Sequence, residues 1–352
     1  MKRDLGFSFL MIAILSLAFP ATSPAQVCDA VEVSAGIDFC LARKSDNTLW
    51  AWGANNMGQF GNGMRTDSPI PVDVPNIDDV VTISSGLGHS LVIRNDGTAW
   101  GWGDNSYRQV GDGLGWYCES PAQLPGLTGR IIAVGGGYYH SLVVTQDGIA
   151  WAWGANSYGQ LGNDSTDTSY VPVQVHSIDR VAAVSPGYHH SLALREDGTV
   201  WAWGDNGSGR LGNGTTDDSL VPVQTLNLSN ITAIAAANSH SLALESDGTV
   251  WAWGSNNYGQ LGTDTVSSAS TPIQVQGLSG VTVVAVGEYH SLALRSDGTV
   301  WAWGRNDLGQ LGNGSLADAY RPVRIPTLAN VIAITSHSDH SVAVMADRTV
   351  AA

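Results

Sequence analysis

Short apolar runs alternate with Gly- and Asn-rich stretches along this chain, and the alternation keeps a regular beat. Val200-Trp201-Ala202-Trp203-Gly204 is one instance, and its copies begin at Trp50, Trp100, Trp151, Trp201, Trp251 and Trp301. Only Trp100-Gly101-Trp102-Gly103 varies internally. A fixed period of about 50 residues marks a repeat array, so the period governs every local reading.

Each repeat carries four short apolar runs. In the fourth they are Val181-Ala182-Ala183-Val184, His190-Ser191-Leu192-Ala193-Leu194, Thr199 to Trp203, and Val221-Pro222-Val223-Gln224. The second and third alternate with period two, as half-buried strands do. Leu192 and Leu194 share one face, and Trp201 and Trp203 share another, with Val200 and Ala202 opposite. Between these runs stands Asp197-Gly198, repeated as Asp96-Gly97, Asp147-Gly148, Asp247-Gly248 and Asp297-Gly298, with Asp46-Asn47 in the first repeat. An Asp-Gly pair flanked by alternating apolar residues predicts a two-residue hairpin turn with positive φ at both positions. The prolines of the fourth run (Pro71, Pro121, Pro172, Pro222, Pro272 and Pro322) cannot donate to a ladder, which predicts an edge strand. A longer Gly/Asn-rich segment, such as Gly154 to Asn163, joins runs three and four, and its Leu161 is expected to return to the core. Repeated four-stranded antiparallel units predict an all-β β-propeller. A β-solenoid competes, but its coils are shorter and lack internal hairpins.

The recurring pattern Gly-x-x-His-Ser-Leu-Ala-Leu, Asp-Gly-Thr-Val-Trp-Ala-Trp-Gly, Gly-Gln-Leu-Gly-Asn-Gly and Pro-Val resembles the RCC1-type repeat (regulator of chromosome condensation). It also resembles the secreted bacterial β-lactamase-inhibitor propellers of the same fold. The resemblance covers nearly all of the chain after its first 25 residues and implies seven blades of four strands. His-Ser elements stand at His89, His140, His190, His240, His290 and His340, with a degenerate copy at Gly36-Ile37-Asp38-Phe39-Cys40. The Trp-x-Trp-Gly strand appears six times, and Val350-Ala351-Ala352 stands in its seventh place. The last blade is therefore expected to be incomplete: either the ring closes on a thin blade, or the seam is weak.

Composition narrows the function classes. Formal net charge is −15, which disfavours binding to a phosphate backbone. Charged residues are only 13% and Gly numbers 42, a balance that suits tight-turned strands. Lys2 and Arg3, the apolar run Leu5 to Phe19, and Ser23-Pro24-Ala25 read as a cleaved export signal over residues 1–25, with the propeller over 26–352. A membrane anchor is the alternative, but the run is shorter than the roughly 20 residues a span needs. Lipidation at Cys28 is disfavoured by the Ala25-Gln26-Val27 that precedes it. A secreted or periplasmic location follows as the expectation. There a disulfide is permitted, with Cys28 and Cys40 as the pair expected from their shared repeat and Cys118 left over. Pairing itself is not readable from sequence.

Candidate chemistry is sparse. The six in-register histidines come from different blades and cannot converge on one ion, so they are expected to pin blades through hydrogen bonds. The Trp pairs are expected to be blade packing. Acidic stretches such as Asn163-Asp164-Ser165-Thr166-Asp167 and Thr216-Asp217-Asp218 lack the spacing of a calcium loop and read as turn chemistry. No nucleophile elbow or phosphate-binding loop is present, and no metal or cofactor is expected.

Residues that break the repeat are more informative. Of 13 Trp only Trp116 lies outside the repeated pair, where other repeats have Thr66, Asp167, Asp217, Ser267 and Ala317. Tyr117 beside it replaces Asp67, Thr168, Asp218, Ser268 and Asp318. A variable pair precedes each His, and includes Tyr138-Tyr139, Tyr188-His189 and Glu288-Tyr289. An antiparallel meander puts these pairs and the strand three-to-four loops on one rim. Trp116, Tyr117, Tyr138, Tyr139, Tyr188, His189 and Tyr289 are therefore expected to share a face that binds a partner. The expected function is a monomeric, non-enzymatic propeller that binds a protein. The resemblance to the inhibitor propellers makes an extracytoplasmic enzyme one such target. Glycan or cell-surface binding through the same aromatics is the alternative. Guanine-nucleotide exchange, known from the nuclear branch, is disfavoured by export and acidity. A hydrolase or lyase would need a carboxylate pair in the central channel, and none is apparent.

Overall fold

The computed structural model describes residues 29–264 and 267–352. The export-signal expectation over residues 1–25 and the thiol of Cys28 lie outside them. The described residues are all-β and form seven sheets arranged as blades, six of four strands and a seventh of three. Blade four shows the unit: Val181–Pro186, His190–Arg195, Val200–Gly204 and Ser219–Gln224, antiparallel and hydrogen-bonded in sequence order. The Pro-bearing fourth strand lies at the outer edge, as its missing donor requires. Blade seven has Val331–His337, His340–Met345 and the two-residue Val350–Ala351. Among the described residues no helix is long and apolar enough to cross a membrane.

The hairpin turns differ from the sequence expectation. Only one residue per turn has positive φ: Gly198 at 77° in blade four, and Asn47 at 65° in blade one. Gly198 N–H donates to Arg195 O at 3.0 Å, and Arg195 N–H donates to Thr199 O at 3.0 Å. That is a three-residue loop, a type I turn closed by a left-handed residue. The Asp carboxylate supplies the reason, since Asp197 Oδ1 accepts from Thr199 N at 3.1 Å and Thr199 Oγ1 at 2.6 Å. A carboxylate capping two donors fixes Asp in the turn without asking it to adopt positive φ.

Blades pack through their third strands. Trp52 of the first pair is partly buried, and the second Trp of the other five pairs (Trp102, Trp153, Trp203, Trp253 and Trp303) is fully buried against the preceding blade. Its Nε1–H donates to a carbonyl of that blade's loop, as Trp203 does to Gln160 O at 2.8 Å. The loop Gly makes room: at Gly162, with φ at +67°, an added Cβ would lie 2.8 Å from Trp203 Nε1. The loop is held by an Asn in each complete blade. Asn206 Oδ1 accepts from Leu211 N at 3.0 Å, while its Nδ2 donates to Thr215 O at 3.1 Å and Asp217 O at 3.0 Å. Leu211, the counterpart of Leu161, is thereby driven into the core.

The ring closes. In five hairpins the left-handed residue (Gly97, Gly148, Gly198, Gly298 or Arg348) offers its carbonyl to the next blade's first strand, as Gly198 O accepts from Ile231 N at 3.2 Å. Across the seam Arg348 O accepts from Ala30 N at 3.2 Å, and the Arg348 guanidinium pairs with Asp29. Ala30, Val33, Ala35, Cys40 and Ala42 share one apolar cluster with Val342 and Val344 of blade seven. The thin last blade is the expected one, and the seam is packed rather than open on this side.

Candidate functional site

The strand one-to-two turn and the strand three-to-four loop meet on one rim. Asp205 N–H, just after strand three, donates to His189 O at 2.9 Å in the one-to-two turn. The bulge at Gly204, φ 99°, permits this, because a Cβ there would stand 2.4 Å from that carbonyl.

Beneath this rim runs a ring of histidines. His89, His140, His190, His240 and His290 place Nε2 at 2.8–3.0 Å from Ser141, Ser191, Ser241, Ser291 and Ser341 of the next blade. His340 reaches Cys40 Sγ of blade one at 3.8 Å, and the chain of contacts stops there because Phe39 stands at the histidine position of blade one. Each serine hydroxyl donates to a loop carbonyl, Ser191 to Gln160 O at 2.8 Å for example. It must therefore accept from the histidine, so Nε2 carries a proton, and burial of the ring disfavours a second proton on Nδ1. Burial pushes His89, His140, His240 and His290 down to about 3 and His190 well below its ordinary value. No three His, Cys, Asp or Glu among the described residues are grouped to hold a metal ion. The acidic loops turn inward on themselves: Asp218 Oδ1 accepts from Asn206 N at 2.7 Å.

Above the histidines lies an aromatic stripe over blades two to four. Near the axis, Tyr139 meets Tyr107 at 4.6 Å and Tyr188 at 5.4 Å between ring centroids. Tyr188 meets His189 edge-on at 4.1 Å, and His189 meets Tyr158 at 4.5 Å. Such offset and edge contacts are the favoured aromatic geometries. Burial and the neighbouring Tyr188 hydroxyl push the Tyr139 phenol up, and burial holds His189 down at about 4. Tyr139 and His189 are therefore uncharged at neutral pH.

Tyr138 departs from the expected exposed face. It is only 6% exposed and lies across the mouth of the central channel, against Tyr188 at 4.6 Å and His337 of blade seven at 4.8 Å. The channel behind it is a cavity of about 250 Å³ lined by small residues of the first strands, including Ser34, Ser84, Gly135, Ser185 and Ala235. No carboxylate stands among its lining residues. Of the first residues of the variable pairs, Tyr138 and Ser338 line this cavity, while Tyr139, the second of its pair, joins the rim stripe. Tyr289 is displaced from the stripe, stacked on Tyr258 at 5.2 Å beside Arg305 and accepting from Asn238 Nδ2 at 3.1 Å.

Toward the outer edge the stripe continues through Arg108. Its guanidinium lies over Trp116 at 5.4 Å and over Tyr170 at 4.5 Å. Trp116 is 64% exposed, and Tyr117 is stacked under Arg65 at 4.2 Å. Arg108 holds φ at +71° where the other complete repeats have Gly58, Gly159, Gly209, Gly259 and Gly309. The blade-two loop is otherwise intact, with Asn105 N–H donating to Trp116 O at 2.9 Å in place of the Asp cap used in blade four. A backbone cap leaves both aromatic side chains free to face solvent. Sequence reading missed Arg108, Tyr107, Tyr158 and Tyr170. The Gly-to-Arg break at position 108 was the available signal for the first.

Comparison with known proteins agrees with this architecture. The family described as RCC1-like domain matches residues 118–352, and RCC1 repeat families match residues 46–93, 30–59 and 80–109. The RCC1 domain-containing protein RUG3, mitochondrial, of Arabidopsis thaliana is 31% identical over 162 residues, covering 46% of this chain and 25% of that protein. The ultraviolet-B receptor UVR8 of the same plant is 31% identical over 151 residues, covering 42% and 34%. The chain thus spans about a third or less of the length of these relatives. Human WBSCR16 superposes with a TM-score of 0.80 at 25% identity, covering 88% of this chain and 85% of that one. Yeast RCC1 (Prp20), solved bound to Kap60, gives 0.81 at 22%, covering 89% and 79%.

Proposed function

The chain belongs to the RCC1-like propeller family, and from that premise we propose that it is a secreted or periplasmic, non-enzymatic propeller that binds a protein partner through its aromatic rim. The observation that carries this reading is the stripe from Tyr188 and Tyr139 through Tyr107 and Arg108 to Trp116. These are large, neutral or cationic, stiff groups on a rigid scaffold, the residue types that dominate protein interfaces. Arg108 strengthens it. It adopts the left-handed region, at a cost of order 1 kcal/mol, where the other complete repeats have Gly, and it puts a guanidinium between Trp116 and Tyr170. Yeast Prp20p has been described together with binding to Gsp1p and histones, which supports protein recognition in this fold without naming a partner here. A net charge of −15 favours a basic partner surface and disfavours nucleic acid.

The test is capture from extracytoplasmic extract by residues 26–352 and by a variant with Tyr107, Trp116 and Tyr139 changed to Ala. Each retained hot-spot aromatic is worth about 2 kcal/mol or more, so the triple variant should lose capture while melting near the parent temperature. Equal capture by both baits would refute the aromatic-rim reading. Saturable binding of a soluble sugar, lost in the same variant, would shift the assignment to glycan binding.

Arg108→Gly separates stability from function. The substitution removes the left-handed strain and should raise stability by about 1 kcal/mol. It should weaken partner capture at the same time, because Trp116 and Tyr170 lose the guanidinium that braces them. A thermal melt and a binding isotherm of one variant read both effects. A lower melting temperature, or unchanged binding, would count against a functional Arg108.

A further inference from the structure

The strand one-to-two turns form a collar around the axis on the loop-rich rim. Backbone bonds tie neighbouring turns together, as Tyr138 N–H donates to Gly187 O at 3.1 Å and Glu288 N–H to Ser338 O at 2.7 Å. The collar has two sides. Ile37, Leu87 and Tyr188 make one side apolar, and Asn238, Glu288 and Ser338 make the other polar. Tyr138 of blade three spans the two, since its ring reaches both Tyr188 and His337 of blade seven.

The polar side is short of donors. Tyr138 is more than nine-tenths buried, yet its hydroxyl has no hydrogen-bond partner among the described residues. Buried hydroxyls are nearly always paired, so this orphan calls for an explanation. Burial pushes the Tyr138 phenol up, and the Glu288 and Asp339 carboxylates beside it push the same way. The cations nearby are already engaged. Arg305 stands 3.8 Å from Asp339 but makes its closer contact, 2.7 Å, with Asp307. Arg210 is paired with Asp205 at 2.9 Å. Glu288 Oε1 accepts from the neutral Asn238 Nδ2 at 2.9 Å. Burial holds Asp339 above the usual carboxylate range despite Arg305, and Glu288, Asp307 and Asp38 add to the effect. Two carboxylates and an unpaired phenol thus face one another, and each would gain from a donor that carries positive charge.

We propose that the polar side of this collar is a socket for a primary ammonium, the side chain of a lysine on the protein partner, which Glu288, Asp339 and the Tyr138 hydroxyl bind together. The choice of a partner lysine as the source rests on the protein-binding reading, whereas the ammonium site itself does not. The three acceptors come from blades three, six and seven and so approach from different directions. A compact ammonium with three rotatable donors meets such a set, while a flat guanidinium fork matches coplanar acceptors. The rings of Tyr138 and Tyr188, 4.6 Å apart, supply an apolar wall for the lysine methylenes. The net charge of −15 draws a basic group toward the protein. Stripe and socket then read different parts of one partner: the stripe takes its apolar surface and the socket takes a basic side chain.

The test titrates the full chain with N-acetyl-lysine methylamide and with its norleucine and arginine counterparts, read by saturation-transfer NMR. The lysine probe should bind saturably, and the norleucine probe, which lacks only the charge, at least about tenfold more weakly. Glu288→Gln keeps an acceptor for Asn238 and should weaken the lysine probe at least about tenfold. Tyr138→Phe removes only the orphaned hydroxyl, so it should melt no lower than the parent while also weakening the probe. Equal binding of the lysine and norleucine probes, tighter binding of the arginine probe, or no binding up to the solubility limit would overturn the proposal. A Tyr138→Phe chain that melts lower and binds the probe as the parent does would give the hydroxyl a structural role and overturn its place in the socket. Capture from extract by a Glu288→Gln bait separates the sources of the ammonium. Weakened capture supports a partner lysine, and undiminished capture by a bait that has lost the probe would assign the socket to a free amine while leaving the aromatic-rim reading intact.

Discussion

Between pH 7.5 and 5.5 the propeller is expected to lose about 7 kcal/mol of folding stability, from its five fully buried histidines together. His89, His140, His190, His240 and His290 are held neutral in the fold, with ionisation pushed down to about 3 in four of them and lower still in His190. In the unfolded chain each titrates near its ordinary value of about 6.5. Below that value the unfolded state binds protons that the folded state refuses. Stability is thus complete above about pH 6.5 and falls by about 1.4 kcal/mol per histidine per pH unit as pH drops toward 3. The turn carboxylates do not interfere in this window. Asp46, Asp96, Asp197 and Asp297 are held below the usual carboxylate range by Thr hydroxyl and amide donors. Their contribution is therefore lost only as pH falls below about 4. Asp339 acts in the opposite sense, pushed up by burial, but it is one group against these five, and His189, His337 and His340 are lowered as well.

Urea titrations at several pH values measure this directly through the midpoint. His140→Gln keeps an N–H donor near Ser191 and removes one titrating group, so its stability profile should be shallower by about one proton. A midpoint that stays level from pH 7.5 to 5.5 would mean that the imidazoles are charged or hydrated in the fold, and the neutral ring would be wrong.

How much of this could be read from residues alone depends on whether a feature repeats. Strand order, the outer Pro strand and the thin last blade follow from translational symmetry, which the Trp-x-Trp-Gly spacing displays openly. The histidines were legible as blade pins, because a buried polar ring needs a partner. That the partner is the serine of the next blade is a consequence of ring closure, which no window of one repeat contains. The left-handed turn residue was legible as Gly or Asn, but the Asp before it was misread, since a carboxylate cap and a two-residue turn use the same dipeptide. At the site, Trp116 announced itself by breaking the repeat. Tyr138 and Tyr139 could not be told apart, because Tyr138 is placed by His337 of blade seven, far away in sequence, and Tyr139 by Tyr107 of blade two. Arg108 was legible as a lost Gly and was passed over because it is not aromatic.

The two tryptophans of each pair read alike in sequence and are unlike in the fold, and substitution should expose the difference. Trp203→Ala should cost about 3–5 kcal/mol, the range for removing a fully buried large aromatic. The space left behind cannot close. Gly162 beside it has no side chain to move in, and Gln160 O retains only the Ser191 hydroxyl. Trp201 lies two residues on toward the hairpin rim, beyond the reach of the preceding blade's loop. It is half-buried, with its Nε1–H on Thr199 Oγ1 at 3.3 Å in its own blade. Its removal should cost about 1–2 kcal/mol, in proportion to the apolar surface it covers. Because blade contacts run between neighbours, Trp203→Ala should also loosen blades three and four before the rest. Amide exchange near Leu161 and Ser191 should then rise ahead of exchange in blade six. Equal costs at the two positions would place the inter-blade contact on both rings and remove the physical basis for the indole slot as the unit that joins one blade to the next.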